Sequence, residues 1–588
     1  MVIIIISLSN DGIIASDLFL RKRMQKIELF IEELFRAIPK ISEKILPEFV
    51  LKVESRGKGE GFHSSFKQGK VYIQAESPRA AVYGLSQLRV AAASGYLGDF
   101  LGSCQPRFDL RPIWIGCDSI VSIASDVSLA VPSYCEKEVQ ENKGLQTKEV
   151  FCRRILELGY NAVILGGCEI CQSRPRQGDA SEVEQFCKLL KNYGLKIILK
   201  PIFTDSHNKR GCCPLNEEYS KWLQAKIDGI CELIPSFDYL FWEGSLLRSD
   251  FSTDKAAQEH TLSELVTAEA KLLEKLLPSN KRLIYFIPTP DHNTARQQAK
   301  WMPVFCDEVH KNTIISFSSV AGDCFEDHLP PHPFWEALRK SPDVSATKLL
   351  PLVNIGEINQ GEGLWAAPSL DLIDKYYGRL YRHHFAGMAV LVNKLPRPGA
   401  MLDCGLWVAS QALWSDISVR LLSDTWFSAF CPSWHHSEIA EVLFGVRQLV
   451  LDLSALRYVT HETKRDTISS EECRAMTESV LSRLKELQVK ASKCERMLKT
   501  TGNPSISEYL QIFGRDAKRI VLHFLQCFNL SYPTLATPED QLESFWMLSA
   551  PGSGQGIRSS VKVSFLSEPS RGAAGSHMET IVKENRWI

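Results

Sequence analysis

The feature of the sequence that most limits its fold is a repeated unit, an apolar β-branched run followed by an amphipathic helical segment. The eight apolar runs are 112–118, 161–167, 195–201, 239–242, 283–287, 313–317, 349–355 and 388–392. Apolar runs of strand length that alternate with helices are typical of parallel sheets. No Gly-x-Gly-x-x-Gly or phosphate-loop pattern follows the first run, so a (β/α)8 TIM barrel is favoured over a doubly wound α/β sheet.

Other domains are predicted on both sides of this barrel, since 588 residues exceed a single hydrophobic core. The segment Gly69–Ala75 alternates like a strand and leads into a helix with Ser77 as its N-cap and Pro78 at its first position. We therefore expect a small α/β domain over residues 1–105 and the barrel over 106–435. Helical periodicity predicts a helical domain over 436–550, and a Gly- and Ser-rich composition predicts a loop-rich tail over 551–588.

Composition narrows the class of partner. The 68 Lys and Arg residues nearly cancel the 69 Asp and Glu residues, so no overall field draws in nucleic acid or anionic lipid. The apolar run at residues 1–6 is too short to span a membrane, and the 17 cysteines lack the spacing of a secreted disulfide scaffold. The sequence predicts a cytoplasmic protein with reduced thiols and with neither a nucleic-acid nor a membrane partner.

Acidic residues follow several of the predicted strands, where TIM barrels carry their chemistry. These residues are Asp118, Glu169, Glu243, Asp323 and Glu357. Glycoside hydrolysis needs one carboxylic acid to protonate the leaving oxygen and a carboxylate that acts as base or nucleophile. Glu243, Asp323 and Glu357 would supply that set, and Asp118 would bind substrate. The alternative is that each is a solvated loop acid or a helix N-cap.

Three tryptophans lie near the same predicted rim. Trp114, Trp242 and Trp365 would stack on the faces of sugar rings as substrate-binding residues. The alternative for each is an ordinary position in the core.

Several segments resemble the alpha-glucuronidase family of glycoside hydrolases. They are residues 158–165, 193–199, 213–222 and 233–237 in the first half of the barrel, and 314–317, 322–325, 331–334, 354–357, 386–389, 413–416 and 424–427 after it. The resemblance implies a catalytic aspartate at Asp323 and its partner at Glu357. With a short gap allowed, it places the general acid at Glu243. The implied activity is that of an exo-acting glycosidase that inverts the anomeric centre of a carbohydrate substrate.

The N-terminal segment Tyr83–Leu85 also resembles the small zincin-like domain that precedes the barrel in this family and in bacterial hexosaminidases. No His-Glu-x-x-His motif occurs, and neither metal nor cofactor is expected. The lysine and the arginine that the family carries on the strands of Glu243 and Tyr285 have no counterpart here. Because those cations would recognise a uronic acid carboxylate, glucuronide specificity is not carried over.

Two other functions remain open. The cysteines Cys117, Cys168, Cys171, Cys212 and Cys213 fall after predicted strands, and the Cys-x-x-Cys spacing of two of them would suit a zinc or thiol site. Small buried residues are the alternative reading of these cysteines. A barrel can also bind a saccharide or a protein without turnover, because a fold does not guarantee activity. The position of Glu243 relative to Asp323 and Glu357 distinguishes catalysis from binding.

Overall fold

The computed structural model describes thirteen continuous ranges of the chain. They are residues 3–9, 12–14, 47–54, 59–115, 145–168, 177–201, 213–244, 259–287, 292–309, 312–318, 349–354, 385–392 and 401–430, together with position 373 and isolated helical positions between 471 and 486. Apart from those isolated positions, the predicted helical domain 436–550 and the tail 551–588 lie outside the described residues.

The N-terminal part is a mixed sheet. Its strands are β1 (Ile3–Ser9), β2 (Gly12–Ile14), β3 (Glu48–Glu54), β4 (Phe62–Lys67), β5 (Lys70–Ala75) and β6 (Gly102–Cys104), in the order β2-β1-β3-β5-β4-β6. Strands β3 and β5 are parallel, and the other neighbours are antiparallel.

One long helix, α1 (Pro78–Ser94), packs on this sheet and buries most of its residues. The side chain of Ser77 accepts a hydrogen bond from the Ala80 amide at 3.2 Å, and Pro78 is the first helical residue, as predicted. The helix ends at Gly95, whose φ of 89° is left-handed. A short 3-10 turn, Leu97–Phe100, then leads to β6.

The centre of the chain is a closed barrel of eight parallel strands. They are β7 (Pro112–Ile115), β8 (Ala162–Cys168), β9 (Lys196–Pro201), β10 (Tyr239–Glu243), β11 (Arg282–Ile287), β12 (Ile314–Ser318), β13 (Leu349–Asn354) and β14 (Ala389–Val392). Strand β14 pairs with β7 and closes the ring. Each strand coincides with one predicted apolar run, so the TIM barrel prediction is confirmed.

Helices between the strands cover the outside of the barrel. They are α2 (Leu145–Glu157), α3 (Gln177–Asn192), α4 (Glu217–Leu233), α5 (Leu262–Leu276) and α6 (His292–Glu308), followed after β14 by α7 (Met401–Ala412) and α8 (Val419–Phe430). Helix α8 packs against α1 and so joins the barrel to the N-terminal sheet. No helix in the described ranges combines the length and apolarity that crossing a bilayer requires.

The alternation of β10 shows how the barrel core is divided. Tyr239 and Phe241 belong to the cluster that fills the barrel interior. Leu240 and Trp242 belong to the larger cluster between the strands and the surrounding helices. Successive strand residues face opposite sides, so Glu243, two positions after Phe241, faces the interior.

The N-terminal face of the barrel is joined to its neighbours by a buried ion-pair network. Arg111 is fully buried, and its guanidinium contacts the Glu60 carboxylate at 2.5 Å and stacks on the Trp414 ring at 4.6 Å. The Trp414 indole donates to the Gly159 carbonyl at 3.0 Å. Asn161 accepts a hydrogen bond from the Arg111 amide at 2.8 Å. These contacts fix the base of the barrel against the N-terminal sheet and the segment after α7.

Candidate functional site

The described part of the barrel mouth contains a buried lysine–carboxylate pair. Glu243 is the last residue of β10, the fourth barrel strand, and Lys200 lies near the end of β9, the third. The Lys200 Nζ atom is 3.0 Å from Glu243 Oε2, and the two side chains are 8% and 12% exposed. Glu243, predicted from the sequence to lie just past a strand, is the last residue of its strand and lies at the C-terminal end of the barrel, where TIM-barrel enzymes carry their active sites.

Trp114 completes this arrangement from β7. Its ring is partly buried, and Lys200 Nζ lies 4.5 Å from the ring centroid, within the range of a cation–π contact. The centroids of the Trp114 and Phe241 rings are 5.9 Å apart. The centroids of the Phe241 and Phe286 rings are 5.2 Å apart. An aromatic floor thus lies beneath the Lys200–Glu243 pair. Of the two predicted tryptophans among the described residues, Trp114 is the one that contacts Lys200, the partner of Glu243.

The backbone after Glu243 is held closely. The Gly244 amide donates to the Phe286 carbonyl at 2.8 Å. A Cβ atom at Gly244 would lie 2.5 Å from the Tyr285 hydroxyl oxygen, closer than side-chain atoms approach. The segment therefore requires glycine at this position because the Tyr285 ring occupies the space that a side chain would need.

Tyr285 is itself fixed by a buried carboxylate. Its hydroxyl donates to Glu269 Oε2 at 2.6 Å, and the Tyr219 hydroxyl donates to the other oxygen of the same carboxylate. Glu269 is 3% exposed and Tyr285 is fully buried. The network supports the outer side of β10 and β11, opposite the face that carries Glu243. Sequence reasoning missed it, since nothing in the spacing of these three residues links them.

Lys200 was also missed, although the sequence carried a signal. It is a charged residue at the end of the apolar run 195–201, where a lysine is unexpected unless it is paired or reaches solvent. The lysine that alpha-glucuronidases carry on the strand equivalent to that of Glu243 has no counterpart on this strand. The structure supplies a lysine beside Glu243 from the adjacent strand instead.

A second polar group, Ser316 on β12, lies in the barrel wall near this level. Its register places it opposite Phe286, which is itself opposite Glu243. Ser316 is fully buried, and its hydroxyl makes no hydrogen bond within the part of the chain that the structure describes. It lies beside Phe286 and takes no part in the Lys200–Glu243 pair.

The other predicted site residues divide into two groups. Trp242 is 4% exposed and packs in the outer cluster, so the structure places it on the opposite face of β10 from Glu243. Asp118, Glu169, Asp323, Glu357 and Trp365 lie outside the described residues. Their roles stay predictions.

The predicted thiol cluster falls largely beyond the described ranges. Cys117, Cys171 and Cys212 lie outside them, and only the backbone of Cys168 is described, as the end of β8. Cys213 is buried and packs with Leu265. Among the described residues, no group of three or more His, Cys, Asp or Glu side chains could hold a metal ion. A zinc or thiol site stays an untested alternative.

Comparison with known proteins gives similarity in structure alone. No family model matches the sequence, and no curated protein does. Among solved structures, a GH138 enzyme targeting pectin rhamnogalacturonan II is similar with a TM-score of 0.50 and 12% sequence identity, over 81% of this chain and 65% of that one. These comparisons show the fold. The chain spans slightly less than two thirds of that enzyme's length.

Two further structures belong to GH20 enzymes. A chitobiase of Flavobacterium johnsoniae matches with a TM-score of 0.37 and 12% identity, over 90% of this chain and 86% of that one. An exo β-N-acetylglucosaminidase of Vibrio harveyi matches with a TM-score of 0.41 and 11% identity, over 73% and 74%. The similarity to the GH138 enzyme shows that the barrel is of a type found in glycoside hydrolases, and the narrower resemblance to alpha-glucuronidases is not established.

Proposed function

We propose that this protein is a glycosidase that hydrolyses the terminal glycosidic bond of a carbohydrate. The observation that carries the proposal is Glu243, an interior carboxylate at the C-terminal end of the fourth strand of a TIM barrel, beside an aromatic ring and a buried lysine. Asp323 and Glu357 are proposed as the other working carboxylates, because the sequence places them after the sixth and seventh strands.

The division of roles depends on the protonation state of Glu243. The sequence-based assignment makes Glu243 the general acid, with Asp323 and Glu357 activating water for inversion. A general acid must be protonated before reaction, and an ammonium group at 3.0 Å favours the ionised carboxylate. We therefore propose that Glu243 is the ionised member, base or nucleophile, and that Asp323 or Glu357 donates the proton.

The surroundings of Glu243 support a saccharide as the substrate. Trp114 presents a partly buried aromatic face next to an ion pair, and sugars combine apolar ring faces with hydroxyl groups that bind such charged partners. The GH138 enzyme of similar fold targets pectin rhamnogalacturonan II, which makes pectic oligosaccharides a sensible part of a substrate screen.

The experiment is a screen of the purified protein against aryl glycosides and pectic oligosaccharides. On any substrate found, Glu243→Gln, Asp323→Asn and Glu357→Gln should each lower kcat by about 10²–10⁴-fold if the residue is a catalytic acid or base. Gln224→Glu is the control and should leave kcat unchanged, because it alters a partly exposed side chain of α4 whose amide donates to Asp228. Full activity in Glu243→Gln contradicts the proposal.

The stereochemistry of the product then decides the geometry. Proton NMR of the first-formed anomer distinguishes inversion, which needs carboxyl groups about 6.5–9.5 Å apart, from retention at about 5–5.5 Å. Inversion would agree with the sequence-based prediction, and retention would make Glu243 a candidate nucleophile.

A binding function is the second candidate, because a carboxylate already neutralised by a lysine also suits a barrel that holds a saccharide without turnover. Saccharide binding by calorimetry without hydrolysis, retained in Asp323→Asn and Glu357→Gln, would support this function over catalysis.

A further inference from the structure

We propose that Lys200 is a positioning residue that holds Glu243 ionised in the ligand-free protein and thereby fixes Glu243 as the basic member of the carboxylate set. The proposal rests on the proposed function for its catalytic meaning. The charge coupling between the two residues can be measured without a substrate.

The first support is the placement of Lys200. By strand alternation, Lys196, Ile198 and Lys200 of β9 share the interior face, and Ile198 belongs to the interior cluster. The Lys200 side chain is 8% exposed, so its charge cannot be solvated as a surface lysine would be. A buried ammonium needs a compensating partner, and Glu243 supplies a carboxylate at 3.0 Å.

The second support is the way in which Trp114 restricts the ammonium. Lys200 Nζ lies 4.5 Å from the Trp114 ring centroid, so the ammonium is in contact with the indole face and with Glu243. This contact limits the movement of the ammonium away from the carboxylate. The aromatic ring thus maintains the geometry in which ionised Glu243 is favoured.

The third support comes from the other groups that face Glu243 and its strand. On the outer side of β10 and β11 lie Tyr285 and the Glu269 carboxylate that accepts its hydrogen bond, opposite the interior face. On the interior side, the neighbouring positions of β11 and β12 are Phe286 and Ser316, which carry no charge. Within the described residues, Lys200 is a charged group in contact with the Glu243 carboxylate, at 3.0 Å.

The matched control lies on the same strand. Lys196 faces the interior at the opposite end of β9, toward the base of the barrel, where its charged neighbours include Glu60, Asp109, Arg79 and Arg111. Burial lowers the pKa of Lys196, the two arginines add to the effect, and the two carboxylates oppose it. Replacing Lys196 removes an interior lysine from β9 without touching the Glu243 pair.

The test measures the protonation of Glu243 directly. A water-soluble diazoacetamide converts a protonated carboxyl to its ester: the acid proton moves to the diazo carbon, N₂ leaves and the carboxylate oxygen bonds to that carbon. Esterification at Glu243 is followed from pH 4 to 8 by peptide mass spectrometry in the wild type, Lys200→Met, Lys200→Arg and Lys196→Met. Since an adjacent opposite charge shifts carboxyl protonation by about one pH unit or more, labelling in Lys200→Met should rise about tenfold at a given pH.

Lys200→Arg should label like the wild type because it keeps the charge, and so should Lys196→Met. Equal labelling midpoints in the wild type and Lys200→Met overturn the proposal. If no variant is labelled at pH 4, thermal midpoints of Lys200→Met, Glu243→Gln and the double variant decide instead. Coupling between the two positions at pH 7 supports the proposal, and no coupling at pH 7 overturns it.

The outcomes separate this proposal from the proposed function. Coupling between Lys200 and Glu243 without any glycoside hydrolysis would leave the charge assignment standing and remove its catalytic meaning. Hydrolysis that requires Glu243, with no coupling to Lys200, would retain the enzyme and remove Lys200 from it.

Discussion

The two ends of the barrel each bury a cation against a carboxylate, and they do so differently. At the base, Arg111 is fully buried and its guanidinium makes an ion pair with Glu60, hydrogen bonds to the Gly159 and Phe108 carbonyls and a stacking contact with Trp414. At the mouth, Lys200 contacts the Glu243 carboxylate and the face of the Trp114 ring. The base thus joins parts of the fold, whereas the mouth holds one acidic group in position, as expected of the two faces of a TIM barrel.

The largest effect is expected from Arg111→Met. The change leaves the Glu60 carboxylate with less compensation and removes the stacking on Trp414, so the free energy of unfolding should fall by about 3–5 kcal/mol. Lys271→Met is the control, because the Lys271–Glu308 pair is about half exposed and should contribute about 1 kcal/mol or less. Urea unfolding measures both changes. Equal effects of the two substitutions would contradict the structural role assigned to the base.

Gly159→Ala tests the same network at its backbone. Gly159 has a φ of 81°, and an added Cβ would lie 2.7 Å from Trp414 Nε1. Gly194 has a similar φ of 73° but would meet atoms no closer than 3.8 Å. Backbone strain alone should destabilise Gly194→Ala by about 1–2 kcal/mol, and Gly159→Ala should lose more, about 2–4 kcal/mol in total. Indistinguishable urea midpoints of the two variants would show that Trp414 can move aside.

Gly244→Ala tests the packing of the backbone next to Glu243 at the mouth of the barrel. The new Cβ would lie 2.5 Å from the hydroxyl oxygen of the buried Tyr285, so the variant should lose about 1–3 kcal/mol of stability. The shift of the backbone should displace the adjacent Glu243 and lower kcat. Gly229→Ala on α4 is the control, since nothing lies within 4 Å of its added Cβ and alanine favours the helix. Thermal unfolding should show Gly229→Ala unchanged or more stable. A kcat that falls equally in both variants would rule out a local effect on Glu243.

The sequence was sufficient for the barrel and insufficient for the site. Each strand is buried on both faces, so it appears as an apolar run that can be read without knowing its neighbours. The alternation that buries Phe241 inside also shows that Trp242 and Glu243, as adjacent residues, face opposite sides. That inference was available before the structure and argues against Trp242 as a sugar-stacking residue at the mouth.

The Lys200–Glu243 contact was not available from the sequence. It depends on the register between β9 and β10, which pairs Tyr239 with Ile198, and on side-chain directions that no local pattern specifies. The same holds for Arg111 and Glu60, which are 51 residues apart in the sequence. They meet because the N-terminal sheet packs on the base of the barrel. Contacts between distant segments follow from the assembled fold.

The smallest effect on stability is expected from the protonation of Glu60 at the base of the barrel. Burial raises the pKa of Glu60, but the Arg111 and Arg79 guanidinium groups lower it by more, so the folded-state pKa lies below the ordinary value of 4.5. A carboxyl with a depressed folded pKa contributes stability that is present above its unfolded pKa and is lost as the pH falls through the folded value. The thermal midpoint of the wild type should therefore exceed that of Glu60→Gln by a constant amount at neutral pH, and the difference should narrow below about pH 4.5. Thermal scans of both proteins from pH 3.5 to 7.5 measure it, with Glu308→Gln as the matched variant at a half-exposed pair. A difference that widens toward acid would mean that burial, rather than the two arginines, controls Glu60, and the ion pairs at the base would then not have the stabilising role assigned to them.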